Sequence, residues 1–346
     1  MKNEKRIALF LTIALSASLL AGCGGTANND PSGSKDNTET ITLRASSPTD
    51  PGTGWTVCLE TIAEEVNKNT NGKYKIDVYP NASLSENSEK TMTEQTYAGT
   101  LDMCVTPASL ASAEWGAFSI PFQFDDRDHI WRVCETDVVQ GMMDRMEEKG
   151  MKALGIVENG FFQITNNVKE IKVPADCVGI KLRTPQAQSS IDLANMMGFN
   201  PVSVSSGELY VALQQGTADA QQNALSTIYS KGFYDVQKYL TVINYNWSPA
   251  LVGMNLDLWN SMDAETQDIF KAAIEKGCQV CNDKLAAEDS EYISKLEEKG
   301  MQVYTCTPED LAVWKDTLKD VAEIYKPSVG EELVVEFQNA VEECRQ

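Results

Sequence analysis

The feature that most constrains the fold is an alternation of strand and helix patterns that occurs twice along the chain. The first run has three strand patterns separated by two helical patterns, at residues 41–46, 54–72, 74–80, 86–99 and 100–106. Strands that alternate with helices in this way form parallel sheets covered by helices. A chain of 346 residues is long enough for two such cores. Two β-α-β-α-β runs therefore predict two α/β lobes.

The second run begins with the strand pattern at residues 179–183. Thr184 and Pro185 are typical of the cap and first residue of a helix, which we expect to end at Gly198. Ser205 and Glu208 indicate a capping box for another helix. The remaining patterns predict a strand at 199–204, a helix at 207–216, a strand at 217–222 and a helix at 223–240.

The last part of the chain is mainly helical. Residues 248–259 predict a strand that returns to the first lobe. Residues 263–300 keep a helical pattern over more than thirty positions, which at 1.5 Å per residue is long enough to cross both lobes. A strand at 301–305 and a helix capped by Thr307 and Pro308 complete the chain.

The N-terminus has the pattern of an export signal. Residues 1–6 are basic, residues 7–21 are apolar but short for a membrane span, and "LAGC" ends at Cys23. This ending resembles the bacterial lipobox, and the resemblance implies a signal peptide at 1–22 and lipidation of Cys23. A plain signal peptide or an uncleaved anchor is the alternative. Residues 23–39 are polar and lack periodicity, which predicts a flexible tether.

Composition excludes several functions. A net charge of −21 without clustered Lys and Arg disfavours nucleic-acid binding. His129 is the single histidine, so histidine-rich zinc sites are excluded, and we interpret it as a surface or helix-start residue. Nucleotide-binding, zinc-protease and hydrolase motifs are absent from the sequence. We therefore predict that the protein is not an enzyme and needs no cofactor or metal.

Eight cysteines follow Cys23, an even number in a chain predicted to be exported. Cys278 and Cys281 form a CxxC pair, but it lies deep inside a helical pattern, where neither zinc binding nor redox catalysis is well supported. Buried small side chains, or one or two disulfides, are both compatible with this spacing.

Arg183 is the best candidate for a binding residue. It ends a predicted strand, and Asn223 directly follows another, so both lie at the sheet edge where open α/β folds bind ligands. A guanidinium at that edge is suited to a carboxylate, which it can bind with two parallel hydrogen bonds. The alternative is that Arg183 pairs with a structural carboxylate and that Asn223 caps a helix.

A resemblance favours the binding role. The segments that carry it run in consistent order from about residue 40 to the C-terminus, and residues 179–249 are the most specific: "ITLRAS", "NGKYKIDVYPNASL", "GTLDM", "IPFQF", "GIKLRTPQ", "GFNPVSVSSGELYVALQQGTADAQQNALSTIYSKGFYDVQKYL" and "SPALVGMN". Together they resemble the DctP-type solute-binding proteins of tripartite ATP-independent periplasmic (TRAP) transporters. The resemblance implies a receptor that passes an organic acid to a membrane permease, with Arg183 binding the carboxylate and Asn223 contacting the ligand.

The resemblance also implies an α/β fold of the periplasmic-binding-protein type, with two lobes that close on the ligand and a long C-terminal helix spanning both. We place the first lobe at residues 40–160 plus about 249–288, and the second at 161–248 plus about 289–346. A lipid-anchored location on the extracytoplasmic face of the membrane follows from Cys23.

The sequence departs from the family at two positions. Phe162 stands where a second arginine is usual, and Ser206 where many members have an aromatic residue. Because a second buried carboxylate would lack a cation, a monocarboxylate such as a sugar acid or keto acid is favoured. Further candidates for the wall of the site are Glu89, Tyr245 and Trp247.

A sensory receptor that passes the ligand to a signalling partner is an alternative function. A more remote alternative is an extracytoplasmic enzyme that uses the cysteines.

Overall fold

The structure, a computed structural model, describes residues 40–345, except for the side chain of Ser290. The predicted signal peptide, the tether and Cys23 lie outside the described residues. Across 40–345, none of the helices combines the length and the apolar character needed to cross a membrane.

Ten strands form one mixed sheet. They are β1 (Ile41–Ser46), β2 (Tyr74–Tyr79), β3 (Met103–Pro107), β4 (Met151–Asn166), β5 (Lys181–Thr184), β6 (Asn200–Ser203), β7 (Ala220–Ala224), β8 (Tyr239–Val242), β9 (Trp247–Asn255) and β10 (Gln302–Thr305). Their order is β2-β1-β3-β9-β4-β7-β5-β6, with β8 pairing with β4 and β10 pairing with β8.

Thirteen α-helices cover the sheet. They are α1 (Gly54–Asn69), α2 (Glu89–Tyr97), α3 (Ala108–Ala111), α4 (Arg127–Cys134), α5 (Asp137–Asp144), α6 (Gln188–Met196), α7 (Leu209–Gln214), α8 (Leu225–Ser230), α9 (Leu256–Ser261), α10 (Ala264–Glu298), α11 (Pro308–Leu318), α12 (Val321–Val329) and α13 (Glu331–Glu343) within residues 40–345. This α/β architecture confirms the predicted fold class.

The sheet has two sections joined by β4. The first section consists of β1, β2 and β3, which are parallel, and of β9, which is antiparallel to β3. The second section consists of β5, β6 and β7, which are parallel, and of β8 and β10. β4 pairs with β9 through Phe161 and with β7 from Phe162 onward. One long strand therefore passes from one section to the other.

Helix α10 contacts both sections, as the long C-terminal pattern predicted. Asp263 caps its N-terminus by accepting a hydrogen bond of 2.7 Å from the Thr266 amide. In the first section, α10 packs against α1, whose apolar face carries the fully buried side chains of Leu59 and Ile62. Farther along α10, the ring of Tyr292 lies 5.3 Å from that of Tyr229 on α8. The 35-residue helix thus packs against helices of both sections of the sheet.

Two helices begin later in the chain than the sequence predicted. The helix expected from Pro185 begins at Gln188, with Ala187 rather than Thr184 as its N-cap. The helix expected after Ser205 begins at Leu209, and the hydroxyl of Ser205 bonds the Glu208 carboxylate at 2.8 Å without capping the helix.

The helix predicted at 223–240 is the largest error. It consists of the short helix α8, followed by a break and then by strand β8. Gly232 has a φ of +65°, a left-handed conformation that ends the helix and that glycine adopts at little cost. Residues 239–242 then find strand partners in β4 and β10. Pairing with distant strands has overridden the local helical pattern.

All eight cysteines from Cys58 to Cys344 are free thiols in the structure. Cys278 and Cys281 lie inside α10, as the sequence predicted, and Cys58 and Cys281 are completely buried. Five of the eight are buried, which agrees with the interpretation of the cysteines as small buried side chains, whereas Cys134, Cys278 and Cys344 are only partly buried.

Candidate ligand-binding cleft

A cleft lies between the two sections of the sheet. It is lined from one side by residues that follow β1 and β3, and from the other by residues at the ends of β5 and β7. The space between the atoms amounts to about 740 Å³, part of it open to solvent. The carboxyl ends of strands are where open α/β sheets bind ligands, so the position of this cleft is that expected of a ligand site.

Arg183 lies in the wall of this cleft on β5, where its side chain is 4% exposed. Its Nε donates a hydrogen bond of 2.8 Å to the carbonyl oxygen of Val204, which fixes the plane of the guanidinium. Its buried Nη2 has no hydrogen-bond partner among the described residues. A buried charged donor without an acceptor is costly, so this nitrogen is suited to an acceptor that a ligand brings.

Burial lowers the pKa of Arg183, and the negative charge of Glu89 acts in the opposite direction. Glu89 is the first residue of α2 and also lines the cleft. Its side chain is half-buried, and burial raises its pKa, while Arg183, Ser206 and Lys231 act to lower it. In each of the two groups burial outweighs the attraction of the other. Burial thus opposes the charged form of both groups, while each charge favours the other.

The second section supplies amide groups beside the arginine. Asn223 and Gln222 on β7 both line the cleft. Asn223 lies within the strand rather than after it. Tyr245 is fully buried and does not line the cleft, but its hydroxyl donates to the Oε1 of Gln222. Tyr245 therefore orients a cleft residue from behind instead of facing the cleft itself.

The other predicted residues fall into two groups. Phe162 and Ser206 are half-buried and line the cleft. Trp247 is 1% exposed and lies in an aromatic cluster, with its ring centre 5.7 Å from that of Phe118. Trp247 therefore belongs to the core. The structure brings together Arg183, Asn223, Phe162, Glu89 and Ser206, and places Tyr245 and Trp247 behind the cleft wall.

Sequence reasoning missed a second cation and most of the polar wall. Lys231 lines the cleft, but its Nζ lies 3.0 Å from the Oδ2 of Asp50, so part of its charge is offset by this carboxylate. The neutral polar side chains that also line the cleft are Thr49, Ser109, Ser119, Asn159, Ser190, Thr227, Asn246 and Ser248. The lysine lies inside the segment 223–240 that the sequence predicted as one helix, and nothing in the local pattern indicated that it reaches a cleft.

Other potential sites have structural roles. The ring of His129 is completely buried, and its Nε2 lies 2.8 Å from the carbonyl oxygen of Val341. His129 lies in the first turn of α4, which agrees with the predicted helix start, but its side chain is in the core and not on the surface. Among residues 40–345 there is no cluster of three or more histidine, cysteine or carboxylate side chains that could hold a metal ion.

Comparison with known proteins gives a consistent result. The profile of a family described as bacterial extracellular solute-binding protein, family 7 (DctP), matches residues 46–327. A solute-binding protein of Verminephrobacter eiseniae is 34% identical over 252 residues, which cover 71% of this chain and 74% of the relative.

Solved structures resemble the whole described fold. A TRAP periplasmic solute-binding protein of Sulfurospirillum deleyianum with bound succinate is 27% identical, with a TM-score of 0.81 over 86% of this chain and 98% of the other. A TRAP periplasmic solute-binding protein of a Polaromonas species, bound to D-erythronate, is also 27% identical, with a TM-score of 0.81 over 87% and 98% of the two chains.

Proposed function

We propose that this chain, which belongs to the bacterial extracellular solute-binding proteins of family 7, binds a small organic monocarboxylate in the cleft at Arg183 and delivers it to a TRAP-type membrane permease. The family consists of extracytoplasmic substrate-binding receptors and not of enzymes, as the sequence predicted. The nature of the ligand and its delivery to a permease are the parts proposed here.

The observation that carries the proposal is the unpartnered Nη2 of Arg183. A guanidinium whose Nε is already held by Val204 can offer its outer edge to a carboxylate. Two parallel charge-assisted hydrogen bonds would then form at a guanidinium that is itself buried. Succinate and D-erythronate, the ligands named for two similar structures, both carry a carboxylate.

The charges of the cleft favour a ligand with one carboxylate. Arg183 is the cation without a matched anion, because Lys231 is paired with Asp50. A second buried carboxylate without a cation costs several kcal/mol, an order-of-magnitude figure for an unpaired buried ion.

The remaining wall favours hydroxyl groups on the ligand. Asn159, Asn223, Asn246 and Gln222 offer both donors and acceptors, and several serines and threonines lie among them. Phe162 presents an aromatic face suited to the apolar side of a sugar-derived chain or ring. We therefore favour sugar acids, with keto acids next.

Binding is proposed to close the cleft. We assign residues 40–160 and about 249–288 to one lobe, and 161–248 and about 289–346 to the other. A ligand whose carboxylate is held by Arg183 and whose hydroxyls reach the opposite wall interacts best with the closed form, which shifts an open–closed equilibrium. Lipidation of Cys23, outside the described residues, would hold the receptor at the membrane next to its permease.

A thermal-shift screen tests the proposal. Residues 24–346 are heated with sugar acids, keto acids, dicarboxylates and aromatic monoacids, each beside an Arg183→Met variant. A ligand at 100 times its dissociation constant stabilises the protein by about 2.7 kcal/mol, which corresponds to a shift of several degrees. A sugar or keto acid that shifts the wild type but not the variant is expected. No shift with any acid would refute the receptor proposal, and the largest shift with a dicarboxylate would refute the monocarboxylate preference.

A further inference from the structure

The side chain of Lys231 connects the two sides of the cleft directly, without a ligand between them. It follows α8 in the second section of the sheet, whereas Asp50 lies between β1 and α1 and Asn81 follows β2 in the first section. Lys231 Nζ lies 3.0 Å from Asp50 Oδ2 and donates a hydrogen bond of 2.8 Å to Asn81 Oδ1. The lysine side chain is only 19% exposed. We call these three residues the rim bridge.

A second contact brings the same two sides together. Gly207 precedes α7 in the second section, and Asn87 precedes α2 in the first. A Cβ atom added to Gly207 would lie 2.5 Å from the carbonyl oxygen of Asn87, a distance that forces one of the two segments to move. The two rims therefore touch at a place where only glycine fits, in addition to the rim bridge.

We propose that the rim bridge holds part of the protein in the closed form before a ligand binds, and so sets the ligand affinity without contacting the ligand. The inference rests on the closure proposed above. Lys231, Asp50 and Asn81 belong to different sides of the cleft, so their contacts form only when the sides approach. Apparent affinity scales with the fraction of protein that is already competent to bind.

The solvent exposure of the Lys231–Asp50 pair limits how much the rim bridge can change the ligand affinity. The side chain of Asp50 is 32% exposed, so salt and water weaken its attraction for Lys231. Pairs of this kind typically change an equilibrium by less than tenfold. We therefore expect loss of the bridge to reduce affinity about three- to tenfold, much less than loss of Arg183.

A direct contact between Lys231 and the ligand would also explain a loss of affinity in Lys231→Gln. The variant Asp50→Asn distinguishes the two explanations. If Lys231 acts through the bridge, Asp50→Asn weakens binding as Lys231→Gln does. If Lys231 binds the ligand itself, Asp50→Asn releases the ammonium group from its partner and leaves binding unchanged or tighter. The two explanations thus predict opposite results for the same variant.

The first arm of the experiment needs no ligand. Small-angle X-ray scattering of residues 24–346 compares the radius of gyration of wild type, Lys231→Gln, Asp50→Asn and the double variant at low and high salt. Lys319→Gln is the matched control, because it removes a lysine that is also 3.0 Å from an aspartate but within a single local segment. We expect an increased radius for the three bridge variants and none for the control, with high salt shifting the wild type toward the variants.

The second arm measures the affinity for D-erythronate and succinate by calorimetry. We expect the affinity of each single variant, Lys231→Gln or Asp50→Asn, to fall about three- to tenfold. The affinity of the double variant should fall no further than that of one single variant. Exchanging the charges, in Lys231→Asp combined with Asp50→Lys, should restore part of the lost affinity. A radius for Lys231→Gln and Asp50→Asn equal to that of the control overturns the inference. So does unchanged or tighter binding in Asp50→Asn. If neither acid binds, the monocarboxylate proposal is challenged, while scattering still decides whether the bridge exists.

Discussion

Replacing Arg183 by methionine is expected to remove most of the affinity for the organic acid while leaving the ligand-free fold intact. Methionine keeps much of the volume and apolar stem of arginine but removes the charge and all its donors. The side chain is 4% exposed and lies in the cleft wall, so no water replaces the lost donors easily.

The magnitude can be worked from the contacts. Nε is occupied by Val204, and the unpartnered Nη2 and its neighbour remain for the ligand. A hydrogen bond to a charged group contributes about 1.5–3 kcal/mol, and truncating one partner of a buried charge pair costs about 2–5 kcal/mol. Since 1.4 kcal/mol is a factor of ten, we expect affinity to fall about 30-fold to a few thousand-fold.

Unlike the affinity, the stability of the ligand-free protein is expected to change little in Arg183→Met. Burial lowers the pKa of Arg183, yet a guanidinium stays charged in proteins, so the folded state carries the cost of an unsatisfied buried cation. Its removal offsets the loss of the hydrogen bond to Val204. The melting temperature of the ligand-free variant should therefore lie within about 3 °C of the wild type, since 1 kcal/mol corresponds to about 2–4 °C in a chain of this size.

Calorimetric titration and thermal unfolding of the same preparations test both statements. Arg44→Met is the matched control, because Arg44 is a half-exposed arginine on β1 that donates to the carbonyl of Thr100. We expect its affinity to be unchanged. Binding by Arg183→Met within threefold of the wild type would refute the carboxylate role. A fall of more than about 6 °C, roughly 2 kcal/mol, would show that Arg183 serves the fold instead.

Three further outcomes are expected. Burial raises the pKa of Glu89, so its neutral form becomes more populated as the pH is lowered from neutrality. The affinity for a carboxylate should therefore rise as the pH falls, and calorimetry of Glu89→Gln should show no such rise. In Phe162→Arg, a second cation in the cleft should raise the affinity for succinate relative to D-erythronate, and an unchanged ratio in calorimetry would contradict this. Glu158 is 1% exposed, and its carboxylate lies 3.0 Å from Arg127. Arg127→Met leaves this buried carboxylate without that cation, and should lower the free energy of unfolding, measured in urea, by about 3 kcal/mol. A loss below about 1 kcal/mol would contradict the argument.

The sequence predicted those parts of the fold that depend on neighbours along the chain. Strand β1 has the predicted bounds, and Thr307 caps α11 through a reciprocal pair of hydrogen bonds with Asp310. The long helix α10 also follows from its own pattern and its cap at Asp263. Caps and periodic apolar faces act over about four residues, which is why they can be recognised without the fold.

The cleft was predictable only in part. Arg183 could be placed because a residue at the end of a parallel strand lies at the ligand-binding edge wherever the strand sits in the sheet. The direction of other side chains was not readable in this way. Trp247 and Tyr245 begin or precede β9 and face the core, and which face of a strand is buried depends on what packs against it.

Tertiary structure alone decided how the two sections of the sheet meet. β4 changes partner between Phe161 and Phe162, and residues 239–242 form a strand because β4 and β10 lie beside them. Lys231 reaches Asn81, which is 150 positions away in the chain. Such contacts depend on which distant segments the folded chain brings together, and no pattern within a few residues of Lys231 carries that information.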